Sequence, residues 1–198
     1  MRTHLSNDAV IVDGRPMIVD IVNDGVPERP ARIRIDTIDG SGSGASTEIS
    51  LGRARRLFSE RIAGRVAVAQ LGELLAIVAQ GGPDQFVLLI VDVRRARIAY
   101  SGRLPTPALP RNPVTHWRQV SIASSPDRLG IAVPHGGRLI WLEVDSNGRM
   151  IGEVQVGSGF GYVPPSVAWT GSEFAILTTR AAHDGYRFID VPEVGSFD

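Results

Sequence analysis

The chain has no cysteine and no lysine among its 198 residues. The first absence rules out disulfides, thiolate metal sites and a cysteine nucleophile together. The second makes arginine the source of all 21 basic side chains, most simply through a GC-rich coding bias. An equal 21 acidic residues leave the formal net charge at zero. No net field therefore draws the chain to nucleic acid or to an anionic membrane. No apolar run approaches the roughly 20 residues of a spanning helix, and Met1–Asp8 lacks the apolar core of a signal peptide. The expectation is a soluble chain without membrane insertion, cytoplasmic by default. Gly-x-Ser-x-Gly is also missing. The glycine-rich Gly157-Ser158-Gly159-Phe160-Gly161 precedes two prolines and a strand rather than a helix, so it does not read as a phosphate cradle.

What is present is a hairpin repeated four times. Its clearest copy is Val167-Ala168-Trp169-Thr170-Gly171-Ser172-Glu173-Phe174-Ala175-Ile176-Leu177-Thr178, a short strand, a turn and a second apolar strand. The same frame fits from Val10, Val68 and Ile122. In the copy from Ile122 the turn becomes Ser125-Pro126-Asp127, which is still turn chemistry. Each hairpin is followed by an apolar strand that stops on an aspartate: Asp36, Asp92, Asp145 and Asp190, lying 26, 24, 23 and 23 residues beyond the hairpin starts. Repetition at this length, with several strands per unit, points to a radial array of blades. The expected fold is all-β and β-propeller-like, a single domain of four antiparallel blade units at about 9–52, 65–103, 119–157 and 164–198.

Within the units, Ile33 and Ile35 alternate with Arg32 and Arg34, predicting a strand with one wet face. Phe86–Val91 is continuously apolar and predicts a strand buried on both faces. Residues 52–64 form the one helical-looking stretch, with Leu57, Phe58 and Ile62 to pack over the next unit. Trp141, Trp169, Phe86 and Phe174 fall on strands and read as core. Unit four is expected to run its third strand to Asp190. Only eight residues remain beyond that point, so the last blade is incomplete. Thr3–Ser6 resembles Thr47–Ser50 and is a candidate for the missing outer strand.

Pro165-Ser166-Val167-Ala168-Trp169-Thr170-Gly171-Ser172-Glu173-Phe174 resembles the P-S-x-A-W-x-G-x-x-F repeats of bacterial β-propeller proteins. That resemblance implies the fold. Such relatives commonly carry about six to eight blades and share no single activity. Four-bladed propellers of the hemopexin type match in length, but their terminal cysteine pair is missing here.

Loops joining strands two and three, with those joining successive units, should share one rim. They hold Asp24, Glu28, Asp84, His116, Trp117, His135, Tyr162, Arg180, His183 and Asp184. Trp117, His135, Tyr162, Arg180, His183 and Asp184 are the candidate binding residues. No catalytic residue, metal or cofactor is expected. The four strand-ending aspartates read as turn openers bonding their own backbone rather than as calcium ligands. The functional expectation is a non-catalytic binding or scaffolding module that works with a protein partner or a second copy through its rim and an open blade edge. The alternatives are a glycan-binding propeller using Trp117, Phe160 and Tyr162, and a propeller hydrolase or lyase.

Overall fold

The computed structural model describes residues 3–4, 7–23, 31–40, 44–58, 66–82, 85–105, 120–135, 138–158, 165–179 and 192–197. The chain divides into two compact units, Met1–Pro105 and Thr106–Asp198, each holding two antiparallel sheets. In the first unit, sheet one comprises β1 (Thr3–His4), β2 (Asp8–Val12), β3 (Arg15–Asn23), β4 (Arg32–Thr37) and β5 (Ser46–Ser50). A short 3-10 helix, Gly52–Leu57, follows it. Sheet two is the meander β6 (Val66–Leu71), β7 (Leu74–Gly82), β8 (Gln85–Asp92) and β9 (Arg97–Arg103).

The second unit repeats the plan. Sheet three is β10 (Ser121–Ser124), β11 (Arg128–His135), β12 (Arg138–Asp145) and β13 (Met150–Ser158). Sheet four has three strands among the described residues: β14 (Ser166–Trp169), β15 (Phe174–Thr179) and β16 (Pro192–Phe197).

Two expectations are corrected here. The pair Thr3–His4 does not complete unit four: it lies against the end of β3, Thr3 opposite Asn23 and His4 opposite Val22. It extends the edge on which β2 pairs, so β1 and β2 form one interrupted inner strand of sheet one. Second, the strand that pairs with β15 is Pro192–Phe197, with Thr179 opposite Pro192, not a strand running to Asp190. Proline lacks the ladder donor but is tolerated as the first residue of a strand. Asp190 itself lies outside the described residues.

The turns shift the repeat frame by one residue in its first copy. At Asp13-Gly14 both central residues have positive φ, 50° and 75°, whereas at Gly72-Glu73 only Gly72 does, at 58°. These are the two primed hairpin turns, one taking glycine second and the other first. Val12 pairs with Arg15 and Leu71 with Leu74 across them. The Ser125 and Thr170 amides reach the Arg128 and Glu173 carbonyls across the other two turns. Counting back from each turn makes Ala9, Val68, Ile122 and Val167 equivalent, so aligning on the glycine places the first copy one residue late.

Alternation decides which face of each strand is buried. In β4, Ile33 and Ile35 are buried while Arg32 and Arg34 are half-buried, Arg32 pairing with Glu48 at 2.9 Å and Arg34 with Asp36 at 3.0 Å. Sheet one thus has one apolar and one partly charged face. Its apolar face, with Val19, Ile21 and Ile33, packs on Val68, Leu75 and Ile77 of sheet two. The run Phe86–Val91 is buried at every position. Ala54 and Phe58 around the 3-10 helix join the same core.

The core between sheets three and four is aromatic. Trp141 of β12 packs on Phe174 of β15 with ring centroids 5.2 Å apart, and Trp169 meets Phe174 edge-on at 4.9 Å. Burying each such side chain contributes about 1.5–3 kcal/mol. The Trp141 indole N–H donates to Glu143 Oε1 at 3.0 Å, and Arg128 Nη1 holds Glu143 Oε2 at 2.9 Å, so this nearly buried carboxylate is satisfied on both oxygens. The Trp141 ring lies across Gly130 of β11, where a Cβ would overlap its six-membered ring and sit 2.9 Å from Phe174 Cδ1. Glycine is what lets the indole lie flat enough to reach sheet four. Gly130→Ala should therefore lower stability by about 1–3 kcal/mol, read from the urea midpoint; a variant as stable as the parent would contradict this packing.

Candidate functional site

Of the six predicted binding residues, one is described. His135 closes β11 and pairs in register with Arg138 at the start of β12. Trp117, Tyr162, Arg180, His183 and Asp184 lie outside the described residues, as do Asp24, Glu28, Asp84 and His116. The predicted rim is therefore neither brought together nor separated by the geometry below.

The strand-ending aspartates are described in three units, and each is used locally. Asp145 Oδ1 accepts the Asn147 and Arg149 amides at 2.9 and 2.8 Å. Asp36 takes Arg34 Nε at 3.0 Å. Asp92 Oδ1 accepts the Arg95 amide at 3.0 Å, while Oδ2 faces Arg95 Nη1 at 3.0 Å and Arg97 Nε at 3.6 Å. The Arg95 backbone N–H, aided by the two guanidiniums against the opposing effect of burial, holds the Asp92 carboxyl below its ordinary value. Among the described residues no group of three or more His, Asp or Glu is placed to hold a metal.

A second set of contacts, absent from the sequence reading, recurs between sheets. Asp8 Oδ2 accepts the Val68 amide at 2.8 Å, joining β2 to β6. Ser121 Oγ accepts the Val167 amide at 3.0 Å, joining β10 to β14. In structural register Asp8, Ala67, Ser121 and Ser166 are equivalent, and so are their acceptors' donors, Val68 and Val167. In both places the side-chain oxygen of one inner strand receives the outward amide of the next. Ser166 is the serine of the P-S-x-A-W-x-G-x-x-F motif, whose phenylalanine, Phe174, meets Trp141 and whose tryptophan, Trp169, meets Phe174. The sequence signal was present in Ser121-Ile122-Ala123 against Ser166-Val167-Ala168.

The faces left uncovered carry apolar side chains. On sheet four, Ile176 and Phe174 are buried, while Leu177, one residue on, is 46% exposed; Ser166 and Ala168 of β14 are exposed as well. On sheet one, Ile11 of β2 is 68% exposed, beside exposed Ala9 and Pro16.

No family model matches the chain, and no curated protein matches it in sequence. Solved structures do. The β-propeller domain of Nup133 from Vanderwaltozyma polyspora matches 98% of this chain over 56% of its own length, at TM-score 0.53 and 11% identity. The β-propeller domain of the Trilobed protease from Pyrococcus furiosus, described as having an open velcro topology, matches 98% of this chain over 55% of its own, at TM-score 0.53 and 8% identity. The fold is of β-propeller type. An α-L-arabinofuranosidase from Clostridium thermocellum matches 96% of this chain over 67% of its own, at TM-score 0.55 and 10% identity. At such identities the likeness is one of fold, and with both an enzyme and the Nup133 domain among the matches it assigns no activity. The chain spans about half the length of the propeller domains it matches.

The Asp92 geometry makes a pH prediction. A carboxyl held lower in the folded than in the unfolded state contributes stability above the unfolded value, about pH 4, and that contribution is lost as pH falls through the folded one. Asp92→Asn should flatten the acid limb of stability against pH measured by urea unfolding between pH 2 and 6; an acid limb as steep as the parent's would show that another group carries it.

Proposed function

We propose that this chain is a non-catalytic binding or scaffolding module that assembles with protein through the exposed faces of sheets one and four. One observation carries the reading: Leu177 and Ile11 stand exposed on sheet faces whose equivalents elsewhere in the chain are covered by a neighbouring sheet. Propeller blades hide both faces against neighbours. An apolar face left open in one is a candidate interaction surface. The length relation to the matched propellers supports the same reading, since a chain about half as long leaves room for further blades from elsewhere. The glycan-binding reading depends on Trp117, Phe160 and Tyr162, all outside the described residues, and the hydrolase or lyase reading on the rim histidines and carboxylates, of which His135 alone is described; no described contact favours either.

Light scattering coupled to size exclusion tests this, on the chain alone at about 10–100 μM and on the chain co-expressed with the proteins encoded beside it. A mass above that of one chain is expected in at least one sample, and Leu177→Arg should return it to the single-chain value without shifting the unfolding midpoint. A monomer in both samples, or an assembly untouched by Leu177→Arg and by Ile11→Arg, overturns the proposal.

A further inference from the structure

We infer that the open face of sheet four receives the open face of sheet one of a second copy, head to tail, by the contact that already joins sheet three to sheet four. The inference rests on the assembly reading above and names its partner.

On their two innermost strands, the two open faces stand in the same register as the two halves of that contact. On the receiving side, sheet three presents Ser121 and Ala123 from β10 and Gly130 and Ala132 from β11. In the same register sheet four presents Ser166 and Ala168 from β14, and Ala175 and Leu177 from β15. On the entering side, sheet four offers Val167, Trp169, Phe174 and Ile176. In the same register sheet one offers Ala9, Ile11, Pro16 and Ile18. All four are apolar, although β4 and β5 behind them carry the Arg32–Glu48 and Arg34–Asp36 ion pairs. A serine-bearing surface thus faces an apolar one, as it does inside the second unit.

Both ends of the polar clip stand at exposed positions. Ser166 is exposed and equivalent to Ser121, which accepts the Val167 amide. The amide equivalent to Val167 in sheet one is that of Ala9. It is satisfied at an exposed position only by the adjoining Asp8 Oδ1, at 2.9 Å, while Asp8 Oδ2 serves Val68. Handing the Ala9 amide to Ser166 Oγ of a second copy costs no buried bond. The two surfaces differ, so the pairing is heterologous: residue 166 of one copy meets residue 9 of the other and never its own counterpart.

The absence of native cysteine makes a direct test clean. Ser166→Cys and Ala9→Cys stand at positions equivalent to Ser121 and Val167, whose Oγ and amide nitrogen lie 3.0 Å apart, so the inferred pairing brings the two residues side by side. Differently tagged chains carrying one substitution each are co-expressed, oxidised mildly and resolved on a non-reducing gel, with Glu153→Cys, exposed on β13, replacing Ala9→Cys as control. The mixed pair should yield at least about ten times more cross-linked dimer than either variant alone or the control pair. Cross-linking by Ser166→Cys alone at the level of the mixture would mean that two fourth sheets meet face to face, and overturns the inference while leaving the assembly reading. The same holds if the wild-type chain is monomeric at about 100 μM by itself and associates only with a different protein. A monomer under every condition removes both.

Discussion

The amide of Val167 held by Ser121, and that of Val68 held by Asp8, fix where one sheet lies on the next. Each bond alone is modest, about 0.5–1.5 kcal/mol net. The apolar faces it aligns contribute several times more, since Phe174, Ile176 and Trp141 in one unit, and Ile21, Ile33 and Ile77 in the other, are each almost wholly buried. Apolar burial is non-directional, so it holds the sheets together without choosing a register. The clip chooses it, because an outward-facing amide at the edge of an inner strand has one partner within reach. Ala67 stands where Asp8 and Ser121 stand, and it has no side-chain oxygen to offer. The division into two compact units falls after that sheet, at Pro105.

The aromatic residues make sense on the same terms. They are scarce, 6% of the chain, yet three gather in one inter-sheet core, two of them over Gly130. Trp141 spans the contact and needs both a missing Cβ beneath it and an acceptor for its N–H. Gly130 and Glu143 supply these from adjacent strands. The motif residues Trp169 and Phe174 thus serve the packing of this core. Leu177 and Ile11 stand exposed on sheets built to the same plan.

Much of this architecture was legible in the chain. The hairpins, the aspartates that end strands and the doubly buried run Phe86–Val91 were all readable, because strand periodicity and turn chemistry are local. The strand Pro192–Phe197 was not: it opens on proline and contains glycine, both poor strand signals, whereas Phe188-Ile189-Asp190 matched the repeat marker. The pairing of Thr3–His4 with β3 was equally hidden, since sequence likeness to Thr47–Ser50 cannot tell an inner edge from an outer one. The one-residue shift of the first copy came from turn type, which moves glycine without moving the strand. The clip went unread because it is made by an aspartate in one unit and a serine in another, and only the strand register shows them to be the same position. The candidate rim depends on long-range convergence of loops, to which sequence spacing gives no access.

Residue-resolved amide hydrogen exchange on the purified chain tests the central claim most directly. Val68 and Val167 lie on inner strands with amides turned away from their own sheets, and Asp8 and Ser121 accept them. The account predicts that both exchange as slowly as the ladder amides of β7 and β15, and that Ser121→Ala speeds Val167 while leaving Val68 unchanged. Exchange of Val68 and Val167 at the rate of open strand edges in the parent chain would contradict it.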